Sequence, residues 1–176
     1  MSNATVNLLE PGRWDHSFPW GNITNPGTGR EVMLSADLVN RRSDGAVRLS
    51  CKKGSFHGWA SGPGGQPAAM TAEWAAGALI AKEDARTWFG AYHFDISLPV
   101  FRGAWPALWL IDLHPAPPSG DGMGIPPETD ILEHFRKDGF LSRFRTTHSF
   151  HTGPGYSSKN VISRNYTRLW PVDSNP

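Results

Sequence analysis

Three acidic side chains fall within six residues, Glu128-Thr129-Asp130-Ile131-Leu132-Glu133. In a regular strand side chains alternate between faces, so Glu128 and Asp130 share one face and Glu133 points away. A β-bulge near Ile131-Leu132 adds one residue and returns Glu133 to the acidic face. Ile131 and Leu132 then both find apolar company. Like charges that close cannot all ionise freely, so at least one carboxyl is expected to keep its proton to higher pH. One ionised carboxylate beside one protonated carboxyl is the pair that cleaves a glycosidic bond, as nucleophile and general acid. A carboxyl separation of about 5–5.5 Å gives retention through a covalent glycosyl-enzyme. The ends of the bulged segment are expected to meet it. The same spacing also suits a solvent-facing acidic strand edge or a cation site.

The neighbouring segments must position these groups. Trp105 to Ile111 reads as a strand with Trp105, Ala107 and Trp109 on one side. The chain holds eight Trp, and their flat faces suit sugar rings as well as a core. A Pro- and Gly-rich loop spans 114–127, and Arg143 to Phe150 is a further strand. Upstream, Tyr92 to Leu98 alternates, with His93, Asp95 and Ser97 on one face and Phe94, Ile96 and Leu98 on the other. Asp44-Gly45 separates Asp37–Val39 from Val47–Cys51, a hairpin signal because Asp-Gly accepts the positive φ of a tight turn. Cys51 alternates with Val47 and Leu49 and is expected to be a small core residue. Residues 54 to 69 read as a loop, Met70 to Ala76 as the approach to a strand, and Gly77 to Lys82 as a strand. Residues 1 to 30, punctuated by Gly and Pro, read as an irregular arm with short edge strands.

A length of 176 residues suits one domain, residues 1–176, and 39% apolar content can supply its core. With 19 Gly and 15 Pro, strands and turns are favoured over long helices. Short strands, Gly/Pro turns and no long helical period predict an all-β sandwich or barrel. Basic and acidic residues number 17 and 16, which makes no electrostatic case for nucleic acid or an anionic membrane. No stretch approaches the ~20 apolar residues of a membrane span. Met1 to Gly21 shows no basic start followed by an apolar run, so no secretion signal is read there. The single Cys excludes an internal disulfide. His134, His148 and His151 do not alternate onto one face and lack zinc-site spacing, so no metal and no cofactor is expected.

Gly103-Ala104-Trp105-Pro106-Ala107-Leu108-Trp109-Leu110, a loop, and then Glu128-Thr129-Asp130-Ile131-Leu132-Glu133 resemble glycoside hydrolase family 16. That family shows a Trp-Pro-Ala-x-Trp strand followed by Glu-x-Asp-x-x-Glu. The resemblance covers roughly residues 30 to 155, and the bulged acidic motif is similar to the branch of laminarinases, agarases and carrageenases. It implies a jelly-roll sandwich of two curved antiparallel sheets with a concave cleft. It implies Glu128 as nucleophile, Asp130 as assisting carboxylate and Glu133 as acid/base. Trp105 and Trp109 would line the cleft, and His148 would bond Asp130 or a sugar hydroxyl. His93, Phe94 and Asp95 stand where family members often carry an acidic residue, Ala and Arg. Residues 156 to 176 do not resemble the family's closing strands, so the chain is expected to be a fragment, a partner of another polypeptide or a trimmed variant of the fold.

The function expected is retaining endo-hydrolysis of a β-linked polysaccharide of β-1,3-glucan or galactan type, in the extracellular or cell-surface setting of the family. The alternatives are a non-catalytic carbohydrate-binding module and a structural component on the same fold.

Overall fold

A computed structural model describes residues 12–61, 66–83, 92, 94–99, 101, 103–111, 128–134, 145–151 and 161–167. The described residues are almost entirely strands and turns, with one short 3-10 turn at Ala36–Leu38. The fold class is all-β. No helix among them is long and apolar enough to cross a membrane. The chain forms two compact units, Met1–Tyr92 and His93–Pro176.

In the first unit, β1 (Trp14–Asp15) pairs with β8 (Ile80–Ala81). A four-stranded sheet has the order β2 (Ile23–Thr24), β3 (Val32–Leu34), β7 (Pro67–Ala76), β6 (Cys51–Ser61). The β3–β7 pair is parallel and the other two are antiparallel. Ile23, Ala60 and Ala72 form the buried cluster, with Met33 and Met70 packed against it. Fully burying an Ile such as Ile23 contributes about 1.5–3 kcal/mol. The arm expected over 1 to 30 does contain short strands, and β2 lies on a sheet edge; residues 1–11 lie outside the described residues.

The Asp44-Gly45 hairpin forms as expected. β4 (Val39–Arg41) and β5 (Val47–Leu49) pair antiparallel around it, and Gly45 takes a φ of 87°. Other expectations need correction. Within the loop expected over 54 to 69, residues 54–61 belong instead to β6 and 67–69 to β7, and 62–65 lie outside the described residues. Gly54 and Gly58 look like strand breakers, yet at Gly58 a Cβ would stand 2.9 Å from the Cδ1 of Ile23. Glycine there lets β2 approach the long strand. Cys51 is exposed rather than in the core, and Leu49 is 50% exposed. Of Gly77 to Lys82, only Ile80–Ala81 forms a strand.

In the second unit, one four-stranded antiparallel sheet has the order β12 (Val161–Thr167), β11 (Arg145–His151), β10 (Glu128–Glu133), β9 (Ala107–Ile111). The alternation over Tyr92 to Leu98 does not make a strand where it is described, at 92 and 94–99. Only Leu98 among these is buried, and Phe94 and Ile96 are 38% and 43% exposed. A period of two creates a strand only where a neighbour supplies ladder partners. The loop expected over 114–127 lies outside the described residues.

Candidate active site

β10 is the centre of the site. On the β9 side, Glu128 pairs with Ile111, Thr129 with Leu110 and Asp130 with Trp109. Beyond that the register slips by one residue: Leu132 pairs with Leu108 and Glu133 with Ala107. The β11 side shows the same slip, from Asp130–Ser149 to Glu133–Thr147. Ile131 is therefore the extra residue of a bulge on β10, where the sequence pattern asks for one. The new register runs on past the strand end, since the His134 backbone N–H donates to the Pro106 carbonyl at 3.1 Å.

Directly opposed residues of antiparallel strands project to the same face. The slip thus puts Glu128, Asp130 and Glu133 on one face. Ala107, Trp109 and Ile111 of β9 share it, as do Thr147 and Ser149 of β11. Without the slip, a regular six-residue strand would have pointed Glu133 the other way. Leu108, Leu110, Thr129, Leu132 and Phe150 make the other face, where Leu110 and Phe150 are 37% and 41% exposed.

Burial grades along the acidic face. Asp130 is 4% exposed and Ser149 8%. Glu128 and Glu133 are half-buried, and Trp105 at the rim is 43% exposed. Ala107, opposite Glu133, carries only a methyl group. Trp105 and Trp109 are the diagonal neighbours of Glu133, within reach of a long side chain. The Trp105 indole uses that space: its Nε1–H donates to Oε1 of Glu133 at 2.8 Å. The small residue opposite the carboxylate and the large one beside it together define where the Glu133 head sits.

The sequence-predicted residues Glu128, Asp130, Glu133, Trp105 and Trp109 are thus brought together. His148 is not. Thr147 and Ser149 flank it on β11 and face the carboxylates, so His148 lies on the opposite face with Thr146 and Phe150. Its Nε2 is 3.4 Å from the Thr146 hydroxyl oxygen. The expected bond from His148 to Asp130 is replaced by register pairing of Asp130 with Ser149. Sequence reading missed Ser149 and Thr147. Alternation in β11 separates them from His148, but the register that chooses the face is set by the pairing of β11 with β10. Among the described residues no group of three or more His, Cys, Asp or Glu side chains is arranged to hold a metal ion.

Chemically, the face offers acidic groups at two depths, a neutral hydroxyl row and an indole that both presents an aromatic surface and donates a hydrogen bond. No known protein-family model, curated protein or solved structure matches the chain.

Proposed function

We propose that the face built on β10 is the active site of a retaining endo-glycoside hydrolase acting on a β-linked polysaccharide, of β-1,3-glucan or galactan type. The fold proposed with it is a jelly-roll sandwich. The observation that carries the reading is the one-residue slip at Ile131, which gives Glu128 and Glu133 a common face with Asp130 between them. A one-residue irregularity in the middle of a strand weakens its ladder, and its effect here is to collect carboxylates.

In the proposed reaction a carboxylate oxygen of Glu128 attacks the anomeric carbon. The bond from that carbon to the glycosidic oxygen breaks as Glu133 gives its proton to the departing oxygen. Glu133, now ionised, takes a proton from water, and the hydroxide formed displaces Glu128 from the sugar. Both carboxyls return to their starting states. Asp130 holds Glu128 in place and biases the proton toward Glu133, because adjacent like charges resist joint ionisation. Trp105 and Trp109 give the sugar rings an apolar surface.

Glu128→Gln tests the reading. The variant is expected to keep the fold, read by circular dichroism, and to abolish reducing-sugar release from laminarin, agarose and carrageenan. Full release by the variant overturns the assignment. A second reading, a carbohydrate-binding module without turnover, is favoured by the exposed Trp105 ring beside half-buried Trp109. Binding of these polysaccharides without turnover, unchanged in Glu133→Gln, would select it.

A further inference from the structure

The bond from the Trp105 indole to Glu133 does more than fix a rotamer. Resting on the reading of Glu133 as acid/base, we propose that Trp105 is a positioning residue. It confines the transferable proton to Oε2 of Glu133 and makes that carboxyl a stronger acid.

The geometry carries the first half. An indole N–H is a donor with no acceptor capacity. It meets Oε1 of Glu133 at 2.8 Å. The carbonyl oxygen of a neutral carboxyl is its better acceptor, so the indole bond favours the hydrogen on Oε2 with Oε1 as the carbonyl oxygen. Oε2 is then the oxygen that protonates a glycosidic oxygen. The Trp105 ring is 43% exposed, so the group that orients the acid also borders the space a sugar would occupy.

Electrostatics carry the second half. A hydrogen bond donated to a carboxylate favours its ionised form. The carboxylates sharing this face act the other way: Glu128 and Asp130 lie on β10 itself. β9 contributes Ala107 and Trp109, which do not titrate. β11 contributes neutral Thr147 and Ser149, with Arg145 at the register position diagonal to Glu133 and His151 at the one opposite Glu128; β12 has Asn165, Ser163 and Val161 at the matching register positions. Repulsion from Asp130 keeps the proton on Glu133, and Trp105 limits that effect so the proton can still leave. In the first displacement the proton passes from Oε2 to the leaving oxygen, and the indole stabilises the carboxylate that remains. In the second, water returns a proton to Oε2.

Nuclear magnetic resonance on the full chain tests this without substrate. The indole N–H of Trp105, assigned through its own backbone, is expected to shift with pH at the midpoint of the Glu133 carboxyl carbon. Glu133→Gln should flatten that response. Trp105→Phe keeps an aromatic ring and removes the donor, and should raise the Glu133 midpoint by about half a unit to one unit. The alkaline limb of kcat on laminarin should rise equally, with KM little changed. A pH-invariant Trp105 indole, or a Glu133 midpoint unmoved or lowered in Trp105→Phe, overturns the proposal. If Trp105→Phe does not fold, the indole response in the unaltered chain and in Glu133→Gln decides. These resonances are read at rest, so their failure is distinct from persistence of cleavage in Glu128→Gln, which overturns the hydrolase reading alone.

Discussion

Asp130 lies directly opposite Trp109 on one side and Ser149 on the other, and only 4% of its surface reaches solvent. A carboxylate that enclosed, on the same face as Glu128 and Glu133, repels both neighbours. Asp130→Asn keeps the shape and removes the charge. We expect it to raise the thermal midpoint by a few degrees at pH 7. The gain should vanish below about pH 4, where free carboxyls take up protons. Catalysis should fall about 10²-fold or more, the scale of a disturbed acid–base step. Scanning calorimetry at the two pH values and rates on laminarin check this; a lower midpoint at pH 7 with unchanged rate contradicts it.

The bulge makes a second prediction. Deleting Ile131 returns β10 to a regular period in which Glu133 still faces Ala107 and Thr147. The variant should fold with a loss of about 1–3 kcal/mol in urea unfolding, and Trp105 should keep its bond to Glu133. Inserting one Ala after Ile131 instead turns Glu133 from the acidic face or stretches the bulge. That variant should lose cleavage. Retained cleavage in the insertion together with its loss in the deletion would reverse the reading of the bulge.

Gly21 supports the first unit by close approach. It has a φ of 139°, and a Cβ there would run into the Trp59 carbonyl oxygen and lie 2.6 Å from the Ala60 Cα. Both are backbone atoms of β6, which cannot move aside alone. Gly21→Ala is expected to destabilise that unit by on the order of 3 kcal/mol or more. Gly12→Ala, also at positive φ but with nothing within 4 Å, should cost about 1 kcal/mol. Urea midpoints for the pair provide the comparison, and equal losses would disprove the role of close approach.

The β4–β5 turn has a pH response of its own. The Ala46 backbone N–H bonds Oδ1 of Asp44 at 3.0 Å and holds that carboxyl below its ordinary value, helped by the Arg42 charge. Arg42 meets Oδ2 at 2.9 Å. The folded value is depressed, so the stabilisation is present above the ordinary Asp value of about 4 and lost as pH falls through the lower folded value. Acid should therefore shift the Ala46 amide resonance and lower its hydrogen-exchange protection, taken relative to the intrinsic rate at each pH. Asp44→Ala should abolish the pH dependence of both. A flat Ala46 response in the unaltered chain counts against the turn's dependence on Asp44.

Much of the site was legible because its signals are local. A carboxylate spacing that fits no regular strand demands a bulge, and the register slips at Ile131. Asp44-Gly45 needs only its own backbone preferences to turn, and the hairpin forms around it. The strand of Trp105 and Trp109 likewise follows from its own residues, since β9 pairs from Ala107 onward.

What failed in the sequence reading depended on partners distant in the chain. The glycines of 54–61 read as breakers until β2 is seen lying against Gly58. Tyr92 to Leu98 alternates like a strand, yet its described residues have no ladder. His148 and Ser149 are adjacent in sequence, and only the pairing of β11 with β10 decided that Ser149 meets Asp130 while His148 faces away. The sequence by itself determined the all-β character, the bulge and which strand bears the acids, because these follow from side-chain period and turn chemistry. Tertiary structure alone decided the neighbours on that face, because register is set between strands, and a shift of one residue exchanges every side chain between the two faces.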